Sequence, residues 1–298
     1  MANYQVDTEL HGELNCWRIT SDHADLLIAQ QGAQVLSYQR IGEPPLLWLS
    51  DQAIFRQGKS VRAGVPVCWP WFGNFERNPD AVKAMYTGEQ APAHGLVRGR
   101  DWQLLSVEEA SDTLVIEFTL PEARGDLPGW PHDVELKLVV ELGDQLKLTL
   151  SSYNLGNTAV TLSQALHSYF AVSDVRQVRV EGVEGLGYIE TLANWEQRSQ
   201  QGALGFAGET DRIYLDAPEQ LSIVDPHWER RITLKAGGSR TAVIWNPWTD
   251  RARDLPDMAD DGWQRMLCIE TANVWDDVVE LKPGASHSLV LTIGCEKI

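Results

Sequence analysis

A carboxylate at the end of an apolar run is the first residue of this sequence that could do chemistry. Glu270 follows the apolar residues Met266–Ile269 in "RMLCIETANV". Alternate side chains of an extended chain share a face, so Glu270 lies on the side of Cys268 and Ala272. Burial among such neighbours removes water from a carboxylate and raises its pKa, which favours a general base. The alternative is a structural glutamate at a strand end, paired with a lysine or arginine.

A histidine lies in a second apolar stretch, "QALHSYFAV" (164–172), which has the pattern of a strand. Alternation places His167 and Tyr169 on one face and leaves Leu166 and Phe170 for the core. Imidazole has an ordinary pKa of about 6.5, so it donates or accepts a proton near neutral pH. Alone, such a residue is more often a hydrogen-bonded structural histidine. A histidine and a glutamate that face one cavity, however, would flank a reacting group as acid and base.

Two arginines and a second histidine lie in irregular stretches that contain glycine. Arg62 belongs to "VRAGVPVCWPWFG", and His94 and Arg98 belong to "APAHGLVRGRDW". The formal net charge of the chain is -17, so an anionic substrate requires arginines that converge locally. Guanidinium groups match phosphate oxygens in a bidentate manner, which makes Arg62 and Arg98 the candidates. Ion pairing with some of the many carboxylates is the alternative.

Aromatic residues are concentrated in the same irregular regions. They are Trp69, Trp71, Phe72, Trp245 and Trp248. Aromatic walls suit sugar rings, but the chain contains twelve tryptophans, and in a β protein these could equally belong to the core.

Several other kinds of site are not indicated. The seven histidines show no H-x-H or H-x-x-x-H spacing and the four cysteines no C-x-x-C pair, so neither a metal site nor a disulfide framework is predicted. "GVEGLG" lacks the order of a dinucleotide-binding motif, and a G-x-S-x-G nucleophile elbow is absent from the sequence. We therefore expect no cofactor. The negative net charge disfavours nucleic acid as a partner.

The elements that position these residues are strands. "VELKLVVELGDQLKLTL" (134–150) alternates apolar and polar residues on both sides of Gly143-Asp144, which predicts an antiparallel hairpin with a two-residue turn. Similar segments recur from "NCWRIT" to "HSLVLTIG", and no helical period persists for three turns. The sequence predicts an all-β protein, a large antiparallel β-sandwich, formed as a single domain over residues 1–298.

The N-terminal sequence "MANYQVDTELHGEL" has neither the basic nor the apolar region of a signal peptide. No stretch approaches the roughly 20 apolar residues of a membrane span. We therefore expect a cytoplasmic protein that does not associate with membranes. The expected partner is a small molecule, and the expected state is a monomer.

These motifs, in this order along nearly the whole chain, resemble the aldose 1-epimerase family, in its hexose-6-phosphate mutarotase (glucose-6-phosphate 1-epimerase) branch. The resemblance is carried by "LIAQQGAQVLSYQ", "VRAGVPVCWPWFG", "PAHGLVRGRDW", "ALHSYFAV", "TDRIYL", "WNPW" and "DDGWQRMLCIETANV". It implies the galactose-mutarotase-like β-sandwich fold. It also implies that the protein interconverts the α and β anomers of a hexose 6-phosphate by acid–base opening and reclosure of the ring.

The resemblance further implies roles for individual residues. His167 in "LHSYF" is similar to the family's general acid, which is protonated when it supplies a proton to the ring oxygen, and Glu270 in "CIETA" is similar to the general base. Asp211 in "TDRIYL" resembles an aspartate that holds sugar hydroxyls. His94 in "AHG" resembles an additional histidine of the active site.

Arg62 and Arg98 match the arginines that the phosphate-sugar branch of the family uses. Two positions depart from the family pattern. Ala63 stands where the family often has glycine, and Ala93 precedes His94 where some members carry glutamine. The second change could alter a contact to the substrate, so the preferred sugar phosphate stays open.

Three other functions fit the same residues. An aldose 1-epimerase that acts on free sugars would need no arginines for phosphate. A non-catalytic carbohydrate-binding protein would explain the sandwich and the aromatic residues. A glycoside hydrolase usually needs two carboxylates, and Asp211 could then join Glu270.

Overall fold

The computed structural model describes residues 4–298, and strands dominate it. The strands of the first half are β1 (Gln5–His11), β2 (Leu14–Thr20), β3 (Ala24–Ala29), β4 (Val35–Arg40), β5 (Val67–Cys68), β6 (Gln103–Ala110), β7 (Thr113–Thr119), β8 (Val134–Leu142) and β9 (Leu146–Asn154). The next strands are β10 (Val160–Leu162), β11 (Gln164–Leu166), β12 (Tyr169–Ala171), β13 (Arg179–Glu181), β14 (Gly187–Glu190), β15 (Glu196–Ser199) and β16 (Leu204–Gly205). The last are β17 (Thr210–Tyr214), β18 (Gln220–Asp225), β19 (Arg230–Gly237), β20 (Thr241–Asn246), β21 (Met266–Asn273), β22 (Val279–Leu281) and β23 (Ser286–Lys297).

The helical segments are short, in agreement with the lack of a persistent helical pattern in the sequence. They are α1 (Asp80–Lys83), α2 (Trp248–Arg253) and 3₁₀ turns at Phe75–Arg77, Pro121–Ala123, Gly262–Arg265 and Trp275–Asp277. Within residues 4–298, none of the helices has the length and apolar character needed to cross a membrane.

Nine strands form one large sheet, in the order β16-β13-β18-β19-β23-β9-β8-β7-β6. Every second side chain of β8 is buried, because one face of this sheet covers the core and the other is partly exposed. The predicted hairpin is confirmed, since β8 and β9 are antiparallel with Val134 opposite Asn154 and Leu142 opposite Leu146. The turn contains three residues, 143–145, instead of the predicted two.

Eight strands form the second large sheet, which carries the site residues. Its order is β15-β14-β17-β20-β21-β11-β5, and β12 also pairs with β21. All eight residues of β21 are buried, because protein covers both faces of this strand. The pairing of β20 places Val243 opposite both Ile213 of β17 and Glu270 of β21. The sheet thereby aligns residues that are far apart in the sequence.

The stretch 164–172 differs from the continuous strand that the sequence predicts. It contains β11 and β12, separated by two residues of which His167 is the first. The interruption arises because the N–H groups of His167 and Tyr169 donate to the carbonyls of Pro66 and Gly64, at 2.9 and 2.7 Å. The His167 side chain nevertheless keeps the predicted face and lines a cavity.

One continuous hydrophobic cluster joins the two large sheets. It contains Leu138 and Leu148 from the nine-stranded sheet and Phe170 and Ile269 from the eight-stranded side, each at most 2% exposed. A four-stranded sheet, β1-β2-β3-β4, and the pair β10-β22 complete the architecture. The predicted all-β class with large antiparallel sheets is confirmed.

Candidate active site

A cavity of about 620 Å³ lies against the eight-stranded sheet. Every residue that the sequence analysis selected for catalysis or binding lines it: Arg62, His94, Arg98, His167, Asp211 and Glu270. They come from β17, β21 and the irregular segments around β5 and β12, so strand pairing over long sequence distances brings them together.

Glu270 and His167 form a buried pair in this cavity. Glu270 Oε1 lies 3.5 Å from His167 Nε2, and the two side chains are 2% and 9% exposed. The backbone of Glu270 is held firmly because β21 pairs with β20 on one edge and with β11 and β12 on the other. Within residues 4–298, Glu270 Oε2 and His167 Nδ1 have no hydrogen-bond partner. The pair therefore has polar atoms available to a ligand.

Burial shifts the pKa values of this pair in opposite directions. It raises the pKa of the Glu270 carboxyl well above its ordinary value, and the negative charge of Asp211 raises it further. Burial and the positive charges of Arg98 and Arg62 lower the pKa of His167 to about 3. These opposite shifts favour a protonated Glu270 carboxyl beside a neutral His167 imidazole in the unliganded pair. The raised Glu270 pKa agrees with the sequence-based interpretation, whereas the neutral imidazole differs from the protonated acid that the resemblance implies.

Aromatic contacts hold the imidazole ring of His167. Tyr169 stacks on it, with ring centroids 4.9 Å apart and an interplanar angle of 9°. The Tyr169 hydroxyl accepts a hydrogen bond from Arg62 Nη1 at 3.2 Å. The rings of Phe72 and Trp245 have centroids 6.2 and 6.5 Å from that of His167. Packing thus fixes the ring in place, with Nε2 toward Glu270 and with Nδ1 unpaired among residues 4–298.

Arg62 and Arg98 supply positive charge to the cavity. Arg62 Nε donates to Asp257 Oδ1 at 2.8 Å in a half-buried ion pair. Arg98 Nη2 donates to the Ala93 carbonyl at 2.7 Å. None of the ion pairs between residues 4–298 includes Arg98. The ion-pair alternative therefore applies to Arg62, while the charge of Arg98 remains available to an anion.

His94 is positioned by an unusual backbone and a defined tautomer. Its φ angle is 63°, and a Cβ on the following Gly95 would collide with the carbonyl of Trp69, so this turn requires glycine. The N–H of Gly73 donates to His94 Nδ1 at 3.4 Å. Burial, with the charge of Arg98, lowers the pKa of His94 well below its ordinary value. The neutral ring therefore carries its proton on Nε2, where it serves as a hydrogen-bond donor.

Asp211 lies on β17 opposite Trp245 of β20. Burial raises its pKa to about 6, and the neighbouring carboxylates Glu209 and Glu190 contribute to the increase. A carboxyl group with a pKa near neutrality accepts hydrogen bonds when ionised and donates one when protonated. Both forms suit contact with sugar hydroxyls.

The aromatic residues of the irregular regions divide between core and cavity. Trp69 and Trp71 are 0% and 1% exposed and belong to the interior. Phe72 and Trp245 line the cavity. Trp248 packs against a neighbouring tryptophan, with ring centroids 4.3 Å apart. Two of the five residues thus form a wall of the site.

Sequence patterns did not identify Arg77, Trp195, Trp275 and Asp257, which also line the cavity. Trp195 and Trp275 stack with centroids 5.7 Å apart, and the Arg77 guanidinium lies 5.1 Å from the centre of the Trp195 ring. These residues belong to separate loops, and Asp257 is 195 positions from its partner Arg62. No local pattern marks such contacts, since they depend on the closed fold.

Together these features define a β-sandwich protein with a buried acid–base pair and a positive charge beside it. The family profile described as aldose 1-epimerase matches residues 15–294. The chain belongs to the aldose 1-epimerase family, which confirms the predicted family and the predicted enzyme class, an isomerase.

Named relatives agree with this membership. The chain is 35% identical over 264 residues to a Cenchrus ciliaris protein named "Putative glucose-6-phosphate 1-epimerase", covering 85% of this chain and 76% of that one. It is 34% identical over 258 residues to an Escherichia coli K12 protein of the same name, covering 85% and 82%. The solved structure of a Salmonella typhimurium protein described as a "putative mutarotase (YeaD)" superposes with a TM-score of 0.87 at 28% identity, covering 98% and 94%. The predicted galactose-mutarotase-like fold is confirmed.

Proposed function

We propose that this enzyme interconverts the α and β anomers of a hexose 6-phosphate, with glucose 6-phosphate as the first candidate. The observation that carries the proposal is the Glu270–His167 pair, 3.5 Å apart in one cavity that two arginines also line. The name shared by the curated relatives supports glucose 6-phosphate as the substrate.

The reaction requires two proton transfers on one sugar ring. A base removes the proton from the C1 hydroxyl while an acid protonates the ring oxygen, so the C1–O5 bond breaks and C1 becomes an aldehyde carbon. Rotation about the C1–C2 bond then presents the other face of the aldehyde. On reclosure O5 attacks C1, the O5 proton returns to the protein, and O1 is protonated. The chemistry requires neither a metal nor a covalent intermediate.

Glu270 is assigned as the base and His167 as the acid, with the roles reversed on closure. These roles need the shared proton on His167, whereas the unliganded pair holds it on Glu270. The two atoms are 3.5 Å apart, so an approach of a few tenths of an ångström, to about 3.2 Å or less, is needed for the proton to pass between them. A phosphate dianion would offset the charges of Arg98 and Arg62 that lower the His167 pKa. Substrate binding would therefore favour the protonated imidazole.

Arg98 is assigned as the main phosphate ligand and Arg62 as the second. Arg98 donates one hydrogen bond to a backbone carbonyl, so its guanidinium group has N–H donors left for phosphate oxygens. Arg62 already binds Asp257 and Tyr169 and offers fewer. His94, through Nε2–H, and Asp211 are assigned to the sugar hydroxyls.

Polarimetry on freshly dissolved α-glucose 6-phosphate tests this function. The enzyme should accelerate the approach to the equilibrium rotation at micromolar or lower concentration, and should act less well on α-glucose and α-galactose. Acceleration with free sugars alone would identify an aldose 1-epimerase without phosphate preference. Binding of the sugar phosphate without acceleration would identify a carbohydrate-binding protein, and release of reducing sugar from a glycoside would identify a hydrolase.

We also propose that the chain acts as a single-domain monomer in the cytoplasm, with a small sugar phosphate as its partner. The continuous cluster between the two large sheets supports one cooperative domain, and four free cysteines fit a reducing compartment. Analytical ultracentrifugation and cell fractionation test these assignments. A stable dimer, or recovery outside the cytoplasm, would contradict them.

A further inference from the structure

A third metal-ligating side chain lies beside the acid–base pair. Cys268 is two residues from Glu270 on the same face of β21 and is fully buried. One ligand atom each from Cys268, Glu270 and His167 lies within 4.8 Å of the other two. The sequence predicts no metal site because these residues lack a ligand spacing, but the pairing of β12 with β21 brings the three together.

The separations are close to those of a tetrahedral zinc site. Zinc binds nitrogen, oxygen and sulfur donors at about 2.0–2.3 Å, which places any two donors of a tetrahedron about 3.3–3.8 Å apart. The 3.5 Å between Glu270 Oε1 and His167 Nε2 lies in this range. Cys268 Sγ, at up to 4.8 Å, needs to approach by about 1.3 Å at most, because a sulfur and a nitrogen or oxygen donor of a zinc tetrahedron are about 3.5 Å apart. His167 and Glu270 line the cavity, so a fourth position would open to it.

Charge and an unsatisfied carboxylate oxygen favour a dication at this place. A thiolate, a carboxylate, a neutral imidazole and Zn²⁺ sum to zero charge, and a neutral assembly suits a buried position. Among the described residues, Glu270 Oε2 has no hydrogen-bond partner, although the residue is 2% exposed, so the second carboxylate oxygen is also free for the ion. Arg62 and Arg98 oppose a cation, but Arg62 is paired with Asp257, and the Asp211 carboxyl lies in the same cavity.

We propose that Cys268, His167 and Glu270 form a zinc site through which zinc inhibits the enzyme reversibly. The ion would displace the Cys268 thiol proton and the proton that the pair shares, and it would occupy the lone pairs that act as acid and base. Zinc and sugar would therefore exclude each other. Mg²⁺ prefers six oxygen donors and would not compete at this site. The inhibition rests on the proposed function, whereas the binding does not.

The test measures zinc binding and activity separately on chelator-treated protein. Zinc affinity is obtained by competition with a coloured zinc indicator, and activity by the anomerisation of α-glucose 6-phosphate. The informative variant is Cys268→Ala, because Cys268 is outside the acid–base machinery. Cys268→Ser is a second variant of nearly the same volume in case the first folds poorly. Cys16→Ala removes another buried thiol and serves as the matched control.

We expect one high-affinity zinc ion per wild-type chain, with inhibition that a chelator reverses and that added substrate weakens. Cys268→Ala should lose more than about tenfold in zinc affinity, since even the loss of an outer partner costs that much, and it should stay active in zinc. Cys16→Ala should behave as wild type, and Mg²⁺ should neither bind nor inhibit.

Three results would overturn the zinc site: no high-affinity binding, equal zinc affinity in wild type and Cys268→Ala, or equal inhibition of both. Binding that depends on Cys268 in a protein without anomerase activity would retain the site and reject the proposed function. Anomerase activity that zinc does not inhibit, in a protein that does not bind zinc, would retain the proposed function and reject the zinc site.

Discussion

The central strands of the two large sheets bury their side chains in different ways. In β8 buried and partly exposed residues alternate without exception from Val134 to Leu142. In β21 every residue is buried, and the eight positions include Glu270, Thr271 and Asn273. A strand with one solvent-exposed face can place all its polar residues on that face. A strand covered on both faces must provide hydrogen-bond partners for its polar residues inside the protein.

This difference in burial distinguishes β8, which belongs to the scaffold, from β21, which carries the site. The side chains of β8 contribute mainly through the apolar area that they remove from water. In β21 the Glu270 carboxyl has an oxygen without a hydrogen-bond partner among residues 4–298, and leaving a polar group unpaired costs stability. We infer that the protein gives up this stability because an unpaired Glu270 carboxyl can react with a substrate. We therefore predict that substitution of Glu270 in β21 changes the reaction and that substitution of a buried residue in β8 changes stability.

The largest effect is expected for Glu270→Gln. The amide keeps the shape of the side chain but cannot accept the C1 proton, and a general base contributes about 10²–10⁴ in rate. Turnover should fall by at least that range, while the Michaelis constant changes little. The same chemical change at Glu141 in β8, on the partly exposed face, is the matched control and should leave turnover intact. Wild-type turnover in Glu270→Gln would remove this residue from the mechanism.

The next effect is expected for Arg98→Ala and concerns substrate selection. A hydrogen bond to a charged group contributes about 1.5–3 kcal/mol, so the Michaelis constant for glucose 6-phosphate should rise about 10–100-fold. The Michaelis constant for free glucose should barely change, because glucose has no phosphate. Arg100→Ala, at an exposed neighbouring position, is the control. Equal losses for both sugars would show that Arg98 does not recognise phosphate.

A stability effect without a catalytic one is expected for Leu138→Ala in β8. Leu138 is 0% exposed in the shared cluster, and truncation of a buried leucine costs about 2–5 kcal/mol. Urea denaturation should show that loss in the free energy of unfolding. The turnover number per folded molecule should match that of the wild type. A large fall in turnover at full folding would mean that the nine-stranded sheet controls the site directly.

A smaller effect is expected in the pH dependence of stability. Below about pH 4.5, the ordinary pKa of a glutamate, the Glu270 carboxyl is protonated in both the folded and the unfolded chain. Its ionisation then does not affect the free energy of unfolding. Above this pH the unfolded chain ionises while the folded chain retains the proton, so stability falls as the pH rises. Glu270→Gln should therefore melt higher than wild type at pH 8, and the difference should shrink toward pH 4.5. A constant difference in Tm across this range would contradict the raised pKa.

The sequence predicted the scaffold better than the site. Alternation in 134–150 correctly predicted which side chains of β8 and β9 face the core, because the other side of that sheet contacts water. The predicted turn between the two strands was one residue too short. The selected site residues all line one cavity, but the motifs that identified Asp211 did so through family resemblance and not through periodicity.

What the sequence could not supply depends on long-range contacts. The break at His167 follows from hydrogen bonds to the distant segment at Pro66 and Gly64. The lowered pKa of His167 follows from burial and from two arginines that are far from it in the sequence. The Arg62–Asp257 ion pair joins residues in separate loops. Each of these features requires the folded chain before it can be inferred.

The central claim is that Glu270 and His167 act as one proton-transfer unit, and exchange NMR measures it most directly. The rate of exchange between the anomeric protons of α- and β-glucose 6-phosphate is compared for the wild type, Glu270→Gln, His167→Asn and the double variant. We expect each single variant to lose at least about 10²-fold in exchange rate and the double variant to lose little more, since the effects of residues that act as one unit are not additive. Wild-type exchange in either single variant, or losses that multiply in the double variant, would contradict this claim.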